Sequence, residues 1–170
     1  GFCLAGRSLS HGGDPLRLAG AGLVAGITAF LLVLFAAPFA SVLLLFAGAF
    51  AIGLGLGLFS VGTLTETMVR ARGEGAGLAL GAWGAVQASC AGVAIAIGGG
   101  LRDALSQTAS AGGLSGALNT PAAGYSGVYI IEIFLLLAAL VALGPLVARR
   151  RDTGDTQPLA GPFGLREFPT

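Results

Sequence analysis

Few side chains in this sequence could do chemistry, and most of those that could are set inside long apolar runs. Glu132 is the single acid between Tyr125 and Arg149. A carboxylate at the centre of a bilayer costs roughly 2.5–3.5 kcal/mol on insertion scales, less near the surface. Glu132 therefore needs a partner, a proton, a water-filled cavity or a shallow position. Tyr125 and Tyr129 nearby fit an interfacial aromatic belt. Two readings stand: a contact for a pigment, substrate or proton, or a solvated acid at the membrane boundary. Gln87 and Trp83 lie in EGAGLALGAWGAVQASCAGVAIAIGGGL, Glu74 to Leu101. A mid-span amide can bond across helices for ~0.6–2 kcal/mol. Gln87 is thus either a link within a bundle or a ligand contact, and Trp83 either packing or a contact on the same face.

Glu66, Arg70, Arg72 and Glu74 fall in TLTETMVRARGEG. They read as charges of a cytoplasmic loop, setting topology and pairing locally, or as a latch toward another loop. His11, the one histidine, sits in a Gly-rich polar stretch, where a ligand role fits poorly. The sequence offers no metal cluster, no nucleophile–base pair and no phosphate loop. Gly53-x-Gly55-x-Gly57 is on an apolar run and is no dinucleotide fingerprint. Catalytic residues and a metal are not expected, and the chain does not read as an enzyme. Cys3 and Cys90 read as small apolar residues rather than a disulfide.

The elements that carry these residues follow from composition. Of 170 residues, 55% are hydrophobic and 10% charged, against about 25% charged in soluble domains. That excludes a soluble globular domain and implies an all-α, polytopic membrane helix bundle. All nine basic residues are Arg, and they flank apolar runs rather than cluster as a nucleic-acid patch. A helix crosses the ~30 Å hydrocarbon core in ~20 residues. Residues 18–65 hold no charge and are long enough for two crossings, with a break at Pro38 and a cap at Ser41. Spans are expected at about 18–37, 41–62, 76–98 and 126–148. Gly98-Gly99-Gly100 should end the third, with a short helix around 101–107 beyond it. Residues 1–17 read as the end of a preceding helix and a cytoplasmic loop, 104–125 as an external loop, and 149–170 as a disordered cytoplasmic tail.

Arg7, Arg17, Arg70, Arg72 and Arg149 to Arg151 alternate onto one side, with Arg102 on the other. The positive-inside rule then makes both ends cytoplasmic. At 100° per residue Gly77, Gly81, Gly84, Ala88 and Gly92 share one narrow face of the third span, nearly opposite Trp83, Gln87 and Cys90. The small face should press on a neighbouring helix, as should Gly53 and Gly57 in the second span. The first residue is Gly and the one Met is Met68, so a fragment is expected.

Two segments carry a family resemblance: Gly57–Ala76, GLFSVGTLTETMVRARGEGA, and Gly77–Leu105, GLALGAWGAVQASCAGVAIAIGGGLRDAL. GAWGAVQA followed by an apolar run and GGGLRD resembles the C-terminal half of the PucC/LhaA group of the major facilitator superfamily. The resemblance implies that the four spans correspond to helices nine to twelve of a twelve-helix fold, with the preceding helices of the same protein as partners. It implies a non-enzymatic role in light-harvesting complex assembly in a bacterial photosynthetic membrane, by handling bacteriochlorophyll or nascent antenna polypeptides. A proton-coupled solute transporter of the same superfamily and a structural subunit of a photosynthetic complex are the alternatives.

Overall fold

The computed structural model describes residues 1–71, 75–110 and 123–152. These form α1 (Phe2–Ser10), α2 (Pro15–Ala36), α3 (Val42–Arg70), α4 (Ala76–Ser110) and α5 (Ala123–Asp152), with no strand among the described residues. The four helices α2 to α5 are each long and apolar enough to cross a membrane. The protein is therefore an all-α membrane bundle. Successive long helices run antiparallel, and α5 returns to pack on α2.

Local chemistry sets the corners. Gly12, at φ +80°, breaks the chain after α1. The Asp14 carboxylate then accepts from Leu16 N–H at 2.9 Å, and Pro15 opens α2 where its missing N–H costs nothing. The α2–α3 corner turns through Ala37–Ala40. Ser41 N–H bonds back to the Ala36 carbonyl at 3.0 Å and Ala40 adopts a left-handed φ of 45°. Ser41 Oγ accepts from Leu44 N–H at 3.4 Å, which starts α3 at the expected cap.

The core lies between α2 and α3. Nine residues of α2 are buried, whereas the apolar windows of α4 and α5 bury none. Gly48, Gly55 and Gly62 recur every seven residues on α3 and meet α2 at the same interval, at Ala29 and Val33, Gly22 and Gly26, and Pro15 and Ala19. A Cβ on Gly62 would lie 2.6 Å from the Pro15 carbonyl oxygen and 2.7 Å from Ala19 N. On Gly55 it would lie 2.7 Å from the Gly22 carbonyl oxygen, and on Gly48 3.1 Å from that of Ala29. Only backbone fits there. A seven-residue repeat keeps one seam facing the partner through a slight left-handed supercoil. Gly55 and not Gly53 therefore makes the inter-span contact. Gly53 faces open space, and Gly57, though buried, lies against the start of α1.

Several boundaries differ from expectation. Residues 63–70 are helix rather than loop, so Glu66 and Arg70 sit on the last turns of α3. There the Thr63 and Thr67 hydroxyls bond back to carbonyls within the helix, and Glu66 pairs with Arg70 one turn on. Arg72 and Glu74 lie outside the described residues, as do most of the expected external loop and the tail after Asp152.

α4 also runs straight through Gly98-Gly99-Gly100 to Ser110, so no separate helix occupies 101–107. Each glycine costs about 0.5–1 kcal/mol in a helix, but backbone groups freed within a membrane cost several. The continuation is also fastened to α5: the Arg102 guanidinium lies 4.5 Å from the Tyr125 ring centroid. Leu105 fills the space over Gly127, where a Cβ would come within 2.7 Å of its Cδ1. α5 continues through Pro145 and the arginines 149–151 instead of stopping at 148.

Candidate functional site

The polar groups within the bundle concentrate where α3 faces α4. Ser60 and Thr63 are about one turn apart on α3, as are Trp83 and Gln87 on α4, so two antiparallel helices bring them into register. Gln87 Nε2 donates to Ser60 Oγ at 3.0 Å, and Trp83 Nε1 donates to Thr63 Oγ1 at 3.3 Å. Thr63 Oγ1 itself donates to the Phe59 carbonyl at 2.9 Å, with the Ser60 carbonyl 3.2 Å away. Its lone pairs are thereby turned toward the indole. Gln87 Oε1 is enclosed and has no hydrogen-bond partner among the described residues.

This arrangement can hold two helices together and leaves one acceptor for a further donor. The Trp83–Gln87 face, a candidate pigment contact by sequence, directs the indole N–H and one amide N–H to α3. Cys90, on the same face by spacing, is exposed. The opposite face of α4 meets nothing: a Cβ on Gly77, Gly81, Gly84 or Gly92 would find no atom within 4 Å, and Ala88 is exposed. Within the described residues the small face has no neighbour, and the face with the long polar side chains is the one that docks.

Glu132 is half-buried on α5, one turn from both Tyr129 and Leu136. The Tyr129 ring meets Phe30 of α2 at a tilt of 39° with centroids 5.8 Å apart, and Leu136 packs over Gly26. Glu132 thus flanks the α2–α5 contact. No hydrogen bond or ion pair joins it to the α3–α4 pairs among the described residues.

Glu66 is the buried acid among the described residues, 8% exposed, and takes Arg70 Nε at 2.6 Å on Oε1. His11 is exposed at the end of α1, with Nδ1 2.7 Å from the Arg7 carbonyl. No group of three or more His, Cys, Asp or Glu is gathered for a metal among the described residues.

Sequence reasoning missed Ser60 and Thr63. A hydroxyl inside an apolar run was the available signal, but ending the span at 62 put Thr63 outside it. It also missed a groove of about 730 Å³ between the start of α2 and the end of α5, with Arg17, Gly20, Leu143 and Gly144 in its wall. Nothing in a one-dimensional pattern joins residues so far apart.

Comparison with known proteins adds the following. A family model described as PUCC protein matches residues 1–151. A Rhodobacter capsulatus protein, described as uncharacterized and in the puhA-bchM intergenic region, is 48% identical over all of this chain and 36% of its own length. Protein PucC of Cereibacter sphaeroides is 44% identical over 86% of this chain and 31% of its own length. Protein PucC of Rhodovulum sulfidophilum is 50% identical over 62% of this chain and 23% of its own. The chain thus spans about a third of the length of the first two. No solved structure matches.

Proposed function

The chain belongs to the PucC family, and on that premise we propose that it is the part of a non-enzymatic assembly factor for photosynthetic light-harvesting complexes that corresponds to helices nine to twelve of a major facilitator fold. In this reading the whole protein handles bacteriochlorophyll or nascent antenna polypeptides. It lies in a bacterial photosynthetic inner membrane with both ends of this segment cytoplasmic, as the arginine pattern favours. The observation that carries the reading is the family match across all four long helices, residues 1–151.

The geometry supports it in two further ways. The glycine face of α4 is open, as expected of a helix that docks on other helices of a larger protein. The polar pairs between α3 and α4 join two of the four long helices within the bundle. One observation favours the solute-transporter alternative: Glu132 is half-buried within a span, where ionisable residues mark ion or substrate paths.

Deletion of the full-length gene in a phototrophic host decides between them. Assembly predicts reduced antenna absorption with solute uptake intact, and Glu132→Gln then tests whether the acid contributes. Wild-type antenna absorption in the deletion strain would overturn the assembly role.

A further inference from the structure

We propose that the groove between the N-terminal turns of α2 and the C-terminal turns of α5 retains one anionic phospholipid, its acyl chain between the helices and its phosphate on Arg17. The groove has a volume of about 730 Å³, within the ~300–1,000 Å³ typical of small-molecule sites. Its floor and walls are aliphatic, with Leu16, Leu140, Leu143 and Val147 among them. It widens because Gly20 and Gly144 carry no side chain. A Cβ on Gly20 would only touch Leu143 Cδ2 at 3.6 Å, and one on Gly144 would meet nothing within 4 Å.

Among the described residues, Arg17 is the single charged one of the lining. It is exposed, on the first turn of α2, and forms no ion pair among the described residues. In the sequence, Arg149, Arg150 and Arg151 directly follow Ala148. Basic pockets between membrane helices at such a boundary suit phosphate headgroups. Apart from Arg17 the described lining is Leu, Val, Ala and Gly. It offers no aromatic ring to stack on a macrocycle and no imidazole for a metal. A flexible saturated chain fits that surface better than a pigment does. The lipid site stands independently of the assembly role.

The test uses the full-length protein, delipidated and equilibrated with mixed micelles of equal phosphatidylglycerol and phosphatidylcholine, with retained lipids counted by native mass spectrometry. Wild type should keep one phosphatidylglycerol in preference to phosphatidylcholine. Arg17→Gln should cut that preference by about fivefold, the effect of one basic residue near an anionic surface. Gly144→Leu should lose the retained lipid by filling the groove from its open side. A thermal melt of each variant separates loss of the site from loss of the fold. If Gly144→Leu does not fold, Arg17→Gln alone decides. Equal retention of the two lipids by wild type, or an unchanged preference in folded Arg17→Gln, would overturn the proposal. Either result is what occupation of the groove by another part of the protein would give.

Discussion

In the α2–α3 hairpin, a Cβ added at Gly22, Gly55 or Gly62 would land 2.6–2.7 Å from backbone atoms of the facing helix. On α4, a Cβ added at Gly77, Gly81, Gly84 or Gly92 meets nothing within 4 Å. Both regions are glycine-rich and apolar, yet only one uses glycine to bring two backbones together. The hairpin succeeds because the α3 glycines recur on the same seven-residue interval as the α2 positions they meet, so backbone or a single side chain of α2 fills each gap on α3. α4 has its small residues on one side and its long polar ones on the other. The side chains that can reach, Trp83 and Gln87, make the contact with α3. Close approach in a membrane is thus a property of a matched pair of helices rather than of one helix.

That contrast can be broken experimentally at its strongest point. Gly55→Leu drives a side chain into the Gly22 and Gly26 backbone, which has no rotamer to yield. Overpacking commonly costs ~1–3 kcal/mol, more when the obstruction is backbone, so loss of folded protein in detergent is expected. A normal melting temperature for Gly55→Leu would show that the hairpin is not the rigid half. Gly22→Ala, with its Cβ 2.6 Å from Phe59 N, should show the same direction with a smaller methyl.

A weaker effect is expected at the α3–α4 contact. Gln87→Leu removes the bond to Ser60 and should cost ~0.6–1.7 kcal/mol, the measured scale for interhelical hydrogen bonds in membranes. Trp83→Phe keeps an aromatic ring but loses the N–H to Thr63 and the second ring of the indole, and should destabilise in the same direction. Chemical denaturation of the double variant Gln87→Leu/Ser60→Ala is the check. If that pair costs no more than Gln87→Leu alone, the two side chains are coupled as the geometry requires. Additive losses would mean they act separately.

The smallest effect sharpens the other side. Gly81→Ala and Gly84→Ala should be neutral or stabilise by up to ~1 kcal/mol, since Ala is the better helix former and nothing opposes its methyl. Gly81→Leu and Gly84→Leu should then be tolerated in this bundle. A large destabilisation of the full-length protein by those same changes would reveal a helix from elsewhere in the protein covering that face.

Much of the fold was legible in one dimension. Apolar runs of membrane-crossing length gave four long helices, and Pro38 with Ser41 gave the α2–α3 corner, because length, hydropathy and capping act locally. The ends of α3 and α4 were not legible. Thr63, Glu66 and the triple glycine at 98–100 look like loop chemistry in isolation. Backbone hydrogen bonding, the Glu66–Arg70 pair and the grip of Tyr125 on Arg102 hold them helical. The candidate site was half legible: Gln87 and Trp83 stand out as polar-tipped residues in an apolar run, but their acceptors, Ser60 and Thr63, do not.

By itself, then, the sequence determined the class, an all-α membrane bundle, and which residues of α4 share a face. Those follow from transfer energies and from the 100° helical step, neither of which needs a neighbour. Only the tertiary structure decided which face of α4 is covered, which glycines touch backbone and where a groove opens beside Arg17. Each of those depends on the rotation of one helix about its axis relative to another. That rotation is set by the complementarity of two surfaces, which no single span contains.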